Sequence, residues 1–544
     1  MSIARLLILV LSVVPSCAPQ SGGVWPQASG PHANWSVPEV HAPTSWSVAR
    51  DEHILWRCPL PNAGQGGLAL SRDKLFVETF PEQAREGVRQ SNRVLGHCID
   101  RATGALLWSV ELQGGRPSPQ MYAFSDSTSW SPVCDETRVW FFNSSGVMAC
   151  YDHAGNPIWE RVIRSQPDAF PFNRQCEPIL AGELILTIEP IAITHKRFEP
   201  ERAHWNYLHA VDRSTGSLVW IAKDPCTFYC TPVLGPHGVL VGRGGPHDVP
   251  EKPIGLSMID VATGKSVWSF EPSAGDGWEA LYAMHADAQH AYWFKNAPEE
   301  SHLVLDATTG ALLREQSLVR DARVTSWDAS KAQYSTRDHV EIRTLADHAF
   351  PLQQGEVLHV HPQWHTNIVA NGYHWFLCTT NNRRNALARA GHSGPAFSLG
   401  RVHIATGKVE YLELPVGVAV DGARKYGAPL RTKTLDARGV EIADEDRSRT
   451  DGWEIDAFFP TRVVIGKHLY LTTTLGTVAV VDTTASVLDA RALTAVNDLG
   501  ELGDCWSMST PSAAEDGVLY HRTAREVVAI GEGSSSTAAG RVRR

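Results

Sequence analysis

The chain has 544 residues, 43% of them apolar and 20% charged, a balance that fits a globular protein and excludes a disordered one. Its formal charge of −10 gives no basic field for phosphates, which argues against nucleic acid as a partner. Eighteen Trp against six Met is an unusual ratio, and it suggests a structural motif that uses one indole per unit.

In chain order, the first element is an export signal. Arg5 precedes a nine-residue apolar run, Leu6 to Val14, too short to span a bilayer but suited to a secretory h-region. The run ends at Val14-Pro15-Ser16-Cys17, which resembles a lipobox with Cys17 as the acylated residue; ordinary cleavage near Ala18 is the alternative. The reading is therefore a signal over 1–17, a linker over 18–44, a propeller over 45–535 and a disordered tail over 536–544. No later segment reaches about 20 unbroken apolar residues, so the only membrane attachment expected is an N-terminal lipid. Of ten Cys, Cys226 and Cys230 are close enough in sequence to pair, while most of the others sit in strand-like runs where a buried thiol is as reasonable as a bridge.

The repeat comes next. Cys98-Ile99-Asp100-Arg101-Ala102-Thr103-Gly104 leads to Trp108. The pattern returns from Ala210 through Asp212 and Gly216 to Trp220, and from Asp260 through Gly264 to Trp268. A shorter copy runs from Asp152 through Gly155 to Trp159. Degraded copies are Asp306 to Gly310, with Arg314 at the Trp position, and His403 to Gly407, with Tyr411 there. Val481-Asp482-Thr483-Thr484 has lost both Gly and Trp. In each good copy an apolar strand ends at an Asp that can accept backbone N–H groups, Gly supplies positive φ, and a second strand carries the Trp. A single hairpin cannot bury that Trp, whereas stacking against a neighbour can. Spacings of roughly fifty residues accommodate four short strands per unit, the size of a propeller blade.

The complete motif Ala-x-Asp-x-x-Thr-Gly-x-x-x-Trp at 210–220 resembles the tryptophan-docking motif of pyrroloquinoline quinone (PQQ) quinoproteins, the quinoprotein alcohol dehydrogenase-like superfamily. The resemblance covers roughly residues 45 to 535. It implies an all-β propeller with Trp56, Trp108, Trp159, Trp220 and Trp268 docked between blades. Ile54 to Arg57 reads as an outer strand with nothing before it, and Val527 to Ile530 as the strand it completes. Eight blades follow, with seven as the alternative, and the ring is closed by the N-terminal strand.

Function is less legible. The Asp turns share one face, so the insertions at 315–357 and 412–456, which follow outer strands, belong to the other face and mark it as the binding face. Residues expected where innermost strands begin there, around a central funnel, are Trp130, Arg174, Glu177, Tyr229, Tyr282, His365 and Trp506; the alternative is that they plug the channel. Asp444, Glu445, Asp446 and Asp451 read as a solvated run rather than a cation site, and His359, His361 and His365 lack a neighbouring acid or thiol to complete a zinc site. Members of the quinoprotein family hold PQQ against a disulfide of adjacent cysteines and bind calcium. This sequence has no adjacent Cys pair, and no Cys-x-x-Cys-His for a haem. The expectation is a monomeric, exported, non-catalytic scaffold without a cofactor, placed in the periplasm, at the outer membrane or outside the cell, that binds an envelope protein or glycan. The alternatives are a PQQ- and calcium-dependent dehydrogenase of alcohols or sugars, a lipoprotein of outer-membrane protein assembly, and a hydrolase or lyase on the same scaffold.

Overall fold

The computed structural model describes residues 25–81, 90–119, 126–163, 176–190, 206–227, 230–243, 254–273, 284–295, 299–342, 367–379, 397–426, 435–441 and 462–532. Cys17, the acidic run at 444–451 and the His359–His365 group lie outside them. These residues form strands, turns and no helix. Eight antiparallel sheets, each with four blade strands, follow one another along the chain. Blades 1 to 7 span 69–119, 133–162, 179–226, 233–270, 285–317, 368–413 and 463–498. Blade 8 combines Ser512–Ala513, Leu519–Arg522 and Glu526–Ile530 with the N-terminal strand Ile54–Pro59, which pairs with Glu526–Ile530. The ring is thus closed by its own N-terminus, as the sequence implies, and closure leaves no open blade.

The seams show why the motif recurs. Asp100 Oδ1 accepts Thr103 N at 2.8 Å and its hydroxyl at 2.7 Å, and the same bonds form at Asp212–Thr215 and Asp306–Thr309. Gly104, Gly216, Gly264 and Gly310 take φ between 69° and 73°. Each indole of one blade lies on the turn glycine of the next. Trp56, Trp108, Trp159, Trp220 and Trp268 donate Nε1–H to the carbonyls of Arg101, His153, Arg213, Val261 and Ala307, the residue after each turn Asp, at 2.9–3.1 Å. A methyl carbon on Gly264 would stand 2.5 Å from the Trp220 ring.

Where the Trp is absent, other groups fill the seam. Arg314 pairs with Val304 in the Trp register, but Gln316 is the side chain over Gly407. Ala495 occupies the blade 7 position, and Trp46 stacks on Tyr470 in the hydrophobic cluster that blades 7 and 8 share.

Two regions differ from expectation. Residues 25–44 are not a linker. Trp25 exchanges backbone bonds with Leu70, Pro26 O accepts Cys134 N, Gln27 accepts Leu180 N, and Trp35 O accepts Val464 N. These partners belong to the inner strands of blades 1, 2, 3 and 7, so the segment runs across the channel axis and closes the end that carries the Asp turns. Trp25 and Trp35 are fully buried, which is the driving force for this placement. The first insertion is not all loop either. Ala322–Asp328 and Gln333–Val340 form a hairpin whose first strand runs parallel to Val409–Glu413, widening blade 6 to six strands. Tyr411, expected at the Trp position of that blade, instead pairs with Gly400, and Glu410 opposite Arg401 takes the Trp register, because this hairpin lacks the bulge of the other blades; the Tyr411 hydroxyl donates to Leu318 O at 2.7 Å.

Candidate functional site at the channel mouth

Antiparallel strands fix the geometry of the opposite end. The Asp turns and the turns between first and second strands lie on the plugged face, so blade-to-blade connections lie on the other. There, two residues before each inner strand, Gly67, Ser131, Glu177 and Thr231 occupy equivalent positions in blades 1 to 4. They form a hydrogen-bonded chain around the axis. Gly67 N donates to Ser131 Oγ at 2.6 Å, Ser131 Oγ and N donate to the Glu177 carboxylate at 2.9 and 2.7 Å, and Glu177 N donates to Thr231 Oγ1 at 3.0 Å. Ser131, Glu177 and Thr231 are each followed by Pro, which has no N–H to satisfy at a strand start. Thr510-Pro511 repeats the pattern before blade 8.

A second polar layer stands behind the first. Glu78 is fully buried, and one carboxylate oxygen accepts Phe142 N from the next blade. Arg522 is also buried, donating to the carbonyls of Gly66 at 3.1 Å and Glu78 at 2.7 Å. His97 is held between Thr79 at 2.9 Å and Ser109 at 2.7 Å, and His521 between Thr472 at 2.9 Å and Arg522 O at 3.0 Å. Burial sets the charge states. It pushes Glu78 well above the carboxylate range and Glu177 up to about 7, and it lowers His97 and His521 to about 4 and Arg522 to about 10.

Of the seven funnel residues expected from the sequence, three are described. Trp130 is fully buried, edge-on to Phe142 at 5.5 Å, and Trp506 is buried against Ala63 and Ala524. Both therefore build the wall, and only Glu177 faces the hydrogen-bonded chain. Arg174, Tyr229, Tyr282 and His365 lie outside the described residues. Sequence reasoning missed Ser131, Glu78 and Arg522. The signals were a hydroxyl residue before Pro at the starts of blades 2, 4 and 8, and a charge inside the otherwise apolar runs of second strands. A separate cleft of about 430 Å³ lies between the blade 7–8 connection and the closing strand, lined by Arg57, Glu501, Asp504, Arg525 and Glu526.

The resemblance to quinoproteins raises PQQ and calcium, and the described residues do not fit them. Calcium takes six to eight oxygen ligands. Among the described residues no three His, Cys, Asp or Glu side chains converge. Glu177 and Glu78 are turned toward backbone and serine donors, with pKa values raised by burial. Cys58, Cys98, Cys134, Cys150 and Cys226 are buried free thiols, so Cys226 does not pair with Cys230. Fold alone does not confer the quinone chemistry.

The eight closed blades and their indole-on-glycine seams define a PQQ-like β-propeller. A family model described as outer membrane protein assembly factor BamB matches residues 46–225, the closing strand and blades 1 to 3. The chain is similar to the quinohemoprotein alcohol dehydrogenase of Comamonas testosteroni, at 13% identity over 97% of this chain and 83% of that one, with a TM-score of 0.50. The quinohemoprotein alcohol dehydrogenase ADHIIG of Pseudomonas putida HK5 gives 11%, 94%, 82% and 0.49. BamB from Moraxella catarrhalis gives 12%, 74%, 96% and 0.35. At 13% identity the likeness to the Comamonas testosteroni structure is one of fold alone. A comparison with curated proteins finds no match.

Proposed function

We propose that this protein is a non-catalytic, exported β-propeller that acts as a binding scaffold in the cell envelope. Its partner is a protein or glycan, taken on the face of the blade connections. The observation that carries this reading is the N-terminal segment, which closes the channel at the Asp-turn end, while both insertions belong to the opposite face. In the first polar layer, Gly67, Ser131, Glu177 and Thr231 bond to one another. The family match over 46–225 favours, as a second reading, a lipoprotein of outer-membrane protein assembly, with Cys17 as the attachment point.

Two experiments test this. Incubation with PQQ and calcium, followed by dye reduction with alcohols and sugars, gives no turnover if the scaffold reading holds; saturable turnover replaces it with the dehydrogenase. Palmitate labelling that disappears in Cys17→Ala establishes the anchor, and unlabelled wild-type protein removes it.

A further inference from the structure

The two insertions meet at one place on the connection face. Trp327 is the last but one residue of the first strand of the blade 6 hairpin, and Tyr334 is the second residue of the next. Tyr426 comes from the second insertion, directly after the short strand Arg424–Lys425. The Trp327 and Tyr426 rings lie parallel, 4.3 Å between centroids and 6° between planes. Tyr334 is perpendicular to both, 5.3 Å from Trp327 and 5.8 Å from Tyr426. Such similar distances place Tyr334 beside the stack and not on top of it, so it caps neither outer face.

The cluster is held firmly. Trp327 N donates to Glu413 at 2.7 Å, and the Tyr334 hydroxyl donates to Glu413 O at 3.0 Å and meets the Tyr426 hydroxyl at 3.1 Å. All three rings are half-buried. The docked tryptophans give their indole N–H to a backbone carbonyl, whereas that of Trp327 has no partner among the described residues and is not sealed from solvent. Arg424 and Lys425 are exposed and have no ion-pair partner among the described residues; burial raises the Tyr334 hydroxyl, an effect that the Arg424 charge opposes.

We propose that Trp327, Tyr334 and Tyr426 form a carbohydrate-binding platform for an oligosaccharide of pyranose rings that carries anionic groups. The C–H face of a pyranose is apolar and packs on an aromatic face, while its hydroxyls seek donors and acceptors at the rim. The outer faces of a rigid stack supply the first requirement, and the Trp327 indole N–H and the tyrosine hydroxyls the second. Arg424 and Lys425 select the charge. A protein hot spot would instead be set within an apolar, water-excluding surround. Here the described chain neighbours of the rings include the charged or polar Asp328, Ser330, Lys331, Arg424 and Lys425. This inference rests on the scaffold reading and names the ligand class for it.

The test is calorimetric titration of the full chain with a uronic-acid tetramer and with a neutral N-acetylglucosamine tetramer. The uronic-acid tetramer should bind, and Trp327→Ala or Tyr426→Ala should weaken it at least tenfold with the urea midpoint of the propeller retained. Arg424→Ala with Lys425→Ala, both exposed positions, should weaken the acidic ligand and leave any neutral binding unchanged; this pair keeps the test valid if the ring variants unfold. Absence of binding to both sugars overturns the proposal, as does undiminished binding in folded Trp327→Ala protein. If neither sugar binds but an envelope protein is captured equally by wild type and by Trp327→Ala, the scaffold reading stands and the glycan site is removed.

Discussion

Replacement of Gly264 by Ala probes the seam at its tightest point, because two costs act there and can be separated. The first is conformational. Gly264 has φ of 69°, where a residue with a Cβ costs about 1–2 kcal/mol. The second is steric, since the new methyl would lie 2.5 Å from Trp220 Cε3 and 2.6 Å from Cδ2. The ring must move by about 1 Å, which strains the Trp220 Nε1 bond to Val261 O, so overpacking adds about 1–3 kcal/mol. Gly182 provides the control. Its φ is 64°, and a Cβ there meets nothing within 4 Å. Gly182→Ala should therefore cost only the conformational part. Urea denaturation at constant m-value reads both. In a Trp220→Ala background the steric part vanishes, and Gly264→Ala should fall to the Gly182 value, a coupling of about 1–3 kcal/mol. Additivity within about 0.5 kcal/mol would refute the claim that indole and glycine form the seam.

Acid should destabilise the fold. Burial lowers His97, His285 and His521 to about 4 and His302 to about 3, so the unfolded chain, with histidines near 6.5, binds more protons across the window from 6.5 to 4. Glu177 and Glu78, both raised by burial, oppose this, and His374, lowered by burial, adds to it. Folded, Glu177 keeps its proton up to about 7 instead of 4.5, so its contribution is full below 4.5 and is lost as pH rises through 7. The sum is a net uptake of about three protons on unfolding at pH 5, measurable from the pH dependence of the urea midpoint; a flat profile between pH 6.5 and 4.5 would contradict it. Trp35→Ala should cost about 3–5 kcal/mol, since that ring is 1% exposed in the channel plug, and a loss under 1 kcal/mol would show the segment to be loosely held. Arg401 lies 3.9 Å over the Tyr373 ring and pairs with buried Glu410 at 2.7 Å. Arg401→Ala should cost about 3 kcal/mol, and Arg401→Met with Glu410→Leu appreciably less, because no uncompensated charge is then left inside.

Most of the ring was legible because its signals are local and repeated. Asp100, Asp212 and Asp260 each begin a turn whose glycine and indole follow at fixed offsets, and the unpaired strand at Ile54 announced its partner near Val528. Long-range pairings without a local signature were not legible. Nothing in Ser36-Val37 says that it will run parallel to Val464 and Ile465, and nothing in Ala322–Asp328 says that it will extend blade 6 beside Val409–Glu413. Trp46 and Gln316 were missed for a related reason. They fill seams whose motif has decayed, so the space between blades selects them and not the pattern. At the channel mouth, Glu177 was found by counting back from its strand, while Ser131, Glu78 and Arg522 emerged only when neighbouring blades were brought together.

The claim that the partner sits on the connection face is tested most directly by photo-cross-linking in intact envelopes. A photoreactive residue is placed either at Lys331, exposed beside the aromatic cluster, or at Ser214, exposed in an Asp turn on the plugged face. Adducts from position 331 with none from 214 are predicted. Adducts from 214 with none from 331 would put the working surface on the wrong end of the channel and contradict the account.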